Sequence, residues 1–184
     1  MNHSSHMPRK MLFSAVVAAG LMLSGMQGAS AQEKQKYYFK SVPGLAKYTQ
    51  QHVIDIGDVP GHQLRVYELQ TKFGADAPVY DGVKVVEAWT RASSDYTNGS
   101  GRNAGYAVSM MANGDKIYST VEVMSQTTVA ADGSKTTRFY NVSRLTGGTG
   151  KFKGIRGSLV GSGSTDFKIG TSDTITQGEY WIEK

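Results

Sequence analysis

The sequence predicts an all-β domain, a single antiparallel barrel or sandwich of seven or eight strands. Three observations predict it. From Gln63 onward, runs rich in β-branched and aromatic residues alternate with period two. Asn-Gly and Asp-Gly pairs separate these runs, and such pairs are the strongest short hairpin signals. No segment sustains the i, i+3, i+4 period of an amphipathic helix, which leaves the barrel and sandwich architectures.

Taken in order, residues 1–31 are set aside as a signal peptide with leading residues. Arg9 and Lys10 precede an apolar run from Met11 to Leu23, and Ala29-Ser30-Ala31 offers a cleavage site. The run is shorter than the roughly 20 residues that span a bilayer, so no membrane attachment is expected after cleavage. Residues 32–61 read as an irregular N-terminal extension, with Pro-Gly turns at 43–44 and 60–61 and a first strand near "HVIDIG". Residues 62–184 read as the barrel domain. Its strands are "QLRVYELQTKF" (63–73), "VKVVEAWTRASSDY" (83–96), "AGYAVSMM" (104–111), "DKIYSTVEVMSQTTVA" (115–130) and "SKTTRFYNVSRL" (134–145). "SLVGSG" and "SDTITQGEYWIEK" follow. Both faces of the strands at 83–93 and 115–124 are partly apolar. That suggests either a lined interior with an outside partly covered by another subunit, or looser packing by the N-terminal segment.

Composition narrows the function classes. The chain has no cysteine, so an exported fold here rests on packing and strand pairing, and thiol chemistry is excluded. The formal charge is +5; without Arg9 and Lys10 it is 18 basic against 15 acidic residues, a mild +3. No dense basic face or recognised motif appears, so nucleic acid is not an expected partner. The expected location is periplasmic or secreted, in a bacterium. The two mature histidines, His52 and His62, show no ligand spacing; no metal or other cofactor is expected. "NGS" at 98 and "NVS" at 141 match the glycosylation sequon, which carries no meaning in a bacterial protein.

The segment "RLTGGTGKFKGIRGSLVGSGS" (144–164) invites comparison with phosphate loops. A P-loop would need glycine where Leu145 stands and a hydroxyl where Phe152 stands. A dinucleotide loop would need a helix directly after it, and "IRGSLVGSGS" is too glycine-rich to hold one. The expectation is a tight or single helical turn, with Phe152 and Ile155 packed inward and a strand following.

"TGGTGKFKGIRGSLVGSG", with "NGDKIYSTVEV" before it and "GEY" after it, resembles the signature segment of the allene oxide cyclase-like barrels and, more distantly, the dirigent proteins. The resemblance implies a single antiparallel eight-stranded, calycin-like β-barrel, often oligomeric, with an apolar cavity. It implies that a reactive small molecule is confined so that it cyclises, isomerises or couples in one stereochemical sense.

Candidate residues follow from strand position. Glu87, Glu68 and Glu122 sit mid-strand among apolar residues, where a desolvated carboxyl would serve as general acid or base. Glu87 leads, since it shares a face with Trp89 and Val85. Tyr67, Trp89, Tyr106, Tyr118 and Tyr140 are candidate cavity walls, and Arg138 a candidate anchor for a carboxylate. The expected partner is a small apolar or aromatic ligand, with a homodimer or homotrimer as the assembly. A barrel steering cyclisation or coupling competes with a non-catalytic, lipocalin-like carrier and with a packed structural barrel.

Overall fold

The computed structural model describes residues 33–41, 46–166 and 171–183; the signal predicted over 1–31 lies outside them. The segment Gln32–Lys184 forms one compact unit. Its strands are β1 (Gln35–Ser41), β2 (Ala46–Asp55), β3 (His62–Lys72), β4 (Val79–Tyr80), β5 (Val83–Thr97), β6 (Ser100–Met111), β7 (Lys116–Val129), β8 (Lys135–Gly148), β9 (Ile155–Asp166) and β10 (Thr171–Ile182). The described residues contain no α-helix, only a 3-10 turn at Gly150–Phe152.

The all-β, antiparallel expectation holds, but the strand count and the closure differ from an eight-stranded barrel. Among the described residues the sheet has ten strands in the order β1-β10-β9-β8-β7-β6-β5-β3-β2, with β4 attached to β5. The ladder is open: β1 and β2 are its edges. Both edges come from residues 32–61, the stretch read as an extension. In β1 the period-two pattern covers only seven residues, and all ten residues of β2 are exposed, so neither carries a strong buried stripe.

Turn chemistry sets the hairpins. Gly114 and Gly133 adopt φ of 86° and 80° at the predicted turns. A further pair, Asn98-Gly99 (φ 52° and 82°), joins Thr97 to Ser100 as a two-residue type I′ turn, extending both β5 and β6 beyond their predicted limits. The "NGS" sequon is therefore a hairpin.

One face of the sheet is concave and carries the core. Along β9 this face presents Ile155, Gly157, Leu159, Gly161 and Gly163; Ile155 and Leu159 are buried. The glycines let neighbouring strands crowd on the inside of the curl. A Cβ on Gly178 would strike the Ser158 carbonyl and the Leu159 backbone, and one on Gly105 would strike the Arg91 carbonyl and Ala92. Small residues inside and larger ones outside bend the sheet.

The apolar end of the curl is plugged by the glycine segment. Phe152 and Ile155 are fully buried, as expected, among Val85, Met111, Ile117, Leu145 and Tyr180. Burying such a phenylalanine contributes about 1.5–3 kcal/mol. The Thr149 amide donates to Lys116 O at 2.9 Å and its hydroxyl accepts from the Lys116 amide at 2.9 Å, which pins the turn to β7. Side chains then draw the two sides of the open ladder together at this end. Tyr80 of β4 stacks on Tyr37 of β1 at 4.7 Å and meets Tyr180 edge-on at 5.3 Å; Phe39 meets Phe73 edge-on at 6.0 Å.

Candidate ligand-binding site

Above this plug lies a cavity of about 190 Å³ on the concave face. Eight strands supply its lining, from β1 around to β4 and β5. Its walls are Tyr37, Phe39, Tyr80, Leu145 and Leu159, and its polar groups are the short side chains of Ser109, Ser119, Asn141, Ser143 and Thr176. Among the described residues no carboxylate lines it. The described concave face of β1 and of β3 to β10 carries no Asp or Glu; the acids alternate onto the other face.

The phenols at the wall are neutral donors at any ordinary pH. Burial pushes Tyr37 up to about 12, against a hydrogen bond from Tyr80, and pushes Tyr80 well above its usual range. Tyr180 is also raised, by burial first; its hydroxyl donates to Gln35 Oε1 at 2.6 Å and accepts from the Asp81 amide at 2.7 Å. Tyr80 packs on both Tyr37 and Tyr180, so the two of these rings that line the cavity, Tyr37 and Tyr80, are held by ring contacts.

Among the sequence candidates only Tyr67 faces this side. It is half-buried, packs edge-on to Tyr48 at 5.3 Å, and accepts a short hydrogen bond from Asn103 Nδ2. Burial raises its phenol, with the Asn103 bond opposing.

The three glutamates lie on the convex face. Glu68 pairs with Arg91 at 2.7 Å and accepts from the Thr49 hydroxyl at 2.7 Å. Glu122 pairs with Arg144 at 3.1 Å, both well exposed. A β-bulge between Val85 and Glu87 breaks the alternation on which Glu87 was placed. Val85 turns into the core, while Glu87 falls on the convex face with Trp89 and accepts a short hydrogen bond from Gln70. Trp89 sits beneath the Arg91 guanidinium at 5.7 Å. Tyr106 and Tyr140 are about 70% exposed on the convex face (69% and 72%), and Tyr118 is exposed there too. Arg138 is exposed beside Tyr140, with Lys40 and Asp173, in a shallow convex groove. Thus the structure brings together Glu87 with Trp89, and Arg138 with Tyr140, but joins none of these to the cavity.

Sequence reasoning passed over Tyr37, Tyr80, Asn141, Leu159 and Thr176, which do line it. A usable signal existed in "GSLVGSGS": glycines 157, 161 and 163 share parity with Leu159. A glycine-lined face marks the inside of a tight curl, and register carries that parity to every neighbouring strand.

Comparison of the chain with protein-family models, with curated proteins and with solved structures gives no match. Among the described residues no three His, Cys, Asp or Glu side chains gather as a metal site.

Proposed function

We propose that the mature chain is an exported, non-catalytic carrier that holds a small, single-ring apolar or aromatic ligand on the concave face of the sheet. The observation that carries this reading is the cavity of about 190 Å³ between fixed tyrosines and Leu145 and Leu159. A dry apolar cavity of about 150 Å³ accepts benzene, whereas drug-sized ligands need roughly 300–1,000 Å³. The space suits one substituted ring. The short hydroxyl and amide side chains at its wall would orient a polar substituent.

The resemblance to allene oxide cyclase-like barrels agrees with a lined interior, and the side-chain contacts of β1 with β4 give this open sheet a barrel-like end. Against cyclisation or isomerisation stands the position of Glu87, Glu68 and Glu122 outside the cavity. That chemistry would have to rely on phenols held neutral by burial, which are poor bases.

The test is titration of the mature protein with p-cresol, followed by calorimetry, for the wild type and for Ser143→Leu. Saturable binding lost in the filled-cavity variant is expected. Equal binding by both proteins, or none by the wild type, contradicts the reading.

A further inference from the structure

Among the described residues of β1 to β10 the concave face holds a cation, Arg65, and no described carboxylate pairs with it. Register places Arg65, Ser94, Asn103, Val123, Asn141, Gly161, Thr176 and Phe39 opposite one another in a single row, from β3 around to β1. Asn141, Thr176 and Phe39 line the cavity; Arg65 and Asn103 lie outside its lining, further along the same row by register.

Two polar atoms of this belt are buried without any hydrogen-bond partner, Arg65 Nε and Asn103 Oδ1. Such groups are costly to leave unmade, and their persistence in a folded site points to a missing partner. The described acid that shares this face, Asp55 at the end of β2, is taken by Gln63 Nε2 at 2.8 Å. No described carboxylate pairs with Arg65. Its charge is felt by Tyr67, whose hydroxyl is already occupied by Asn103 Nδ2.

The pair asks for complementary chemistry. Arg65 Nε–H needs an acceptor, and a guanidinium prefers a carboxylate, which it holds in bidentate fashion. Asn103 Oδ1 needs a donor. Resting on the carrier reading, we infer that the ligand is a small aromatic or alicyclic carboxylate that also carries a hydroxyl or N–H donor. Its ring occupies the apolar cavity, its carboxylate meets Arg65, and its donor meets Asn103. Arg65 is the specificity-determining residue, where the sequence had suggested Arg138.

The experiment compares 4-hydroxybenzoate with its neutral analogue 4-hydroxybenzyl alcohol and with p-cresol, by calorimetry, on wild type and on Arg65→Gln and Arg65→Lys. Expected is at least tenfold tighter wild-type binding of the benzoate than of the alcohol. Arg65→Gln should abolish that preference while still binding p-cresol, which shows that the variant is folded; Arg65→Lys should restore part of it. Wild-type protein that binds p-cresol but holds benzoate and alcohol equally overturns this inference and leaves the carrier reading standing. Binding of none of the three overturns both. A preference retained in Arg65→Gln places the anion elsewhere and overturns the role of Arg65.

Discussion

Phe152 and His62 show how single residues act at opposite ends of the sheet. Phe152 is wholly enclosed by the plug cluster, so removing its ring leaves a hole that the β-sheet cannot collapse to fill. Phe152→Ala should cost about 3–5 kcal/mol. In urea the midpoint falls while the slope is unchanged, and a loss below about 1 kcal/mol would mean that the plug is not part of the core. His62 braces the turn before β3: its Nδ1 lies 2.6 Å from Asp58 and its Nε2 2.8 Å from Asp95. The Asp95 and Asp58 hydrogen bonds raise the imidazole above its ordinary 6.5. The His62 bond, followed by the Val59 amide, lowers Asp58 below its ordinary 3.8. A raised histidine stabilises the fold fully below its unfolded value and stops doing so as pH rises through the folded one. A lowered aspartate stabilises above its unfolded value and stops as pH falls through the folded one. The brace is therefore complete between roughly pH 4 and 6.5 and loosens outside that window. Ring resonances of His62 should titrate above 6.5, with amide exchange at Val59 and Gly61 accelerating at higher pH; titration at or below 6.5 would show that the two carboxylates do not hold the ring.

At the scale of elements, the curl depends on glycine where strands crowd. Gly178→Ala would push a methyl into the Ser158 carbonyl and force β9 from β10, costing about 1–3 kcal/mol as an overpacked site. The reporter is the melting temperature; an unchanged one would mean that the curl does not need this glycine. The elements also explain what could be read in advance. Strands β5 to β8 announce themselves because hydrophobic alternation and Asn-Gly or Asp-Gly turns agree, and Phe152 and Ile155 were legible as an inward turn. The ends of β5 and β6 are not legible in the same way, because 97–103, "TNGSGRN", has no apolar alternation beside its Asn98-Gly99 turn. Edge strand β2 was legible only over its second half, as the strand read near "HVIDIG"; its first half was not, because a strand exposed along its whole length has no face to betray it. The site was the least legible part. One bulge at Val85/Glu87 moved Glu87 to the outside, and alternation alone cannot say which of two half-apolar faces is inward. Glu87→Gln and Glu68→Gln should consequently leave p-cresol affinity within about twofold of wild type, whereas Ser143→Leu removes it; an order-of-magnitude loss in either glutamine variant would bring that acid back to the site.

The whole molecule is an open, ten-stranded sheet in its described residues, drawn together at one end by Tyr37, Tyr80 and Tyr180 and plugged by Phe152. Its two faces divide the labour. The convex face carries the ion pairs Glu68–Arg91 and Glu122–Arg144 along with exposed Tyr106 and Tyr140. The concave face grades from an apolar floor through the tyrosine wall to the belt of Ser94, Asn103 and Asn141 with Arg65. A face that is apolar below and polar above, with room for one ring, suits the small amphipathic ligand proposed above. The central claim is that this face, and not the convex one, takes the ligand. The most direct measurement is methyl NMR of residues 32–184 titrated with p-cresol, following Leu145 and Leu159 on the concave face and Val66 and Val160 on the convex face. The account predicts saturable shifts at the two leucines with the two valines still. Shifts at the valines alone, or at none of the four, would contradict it.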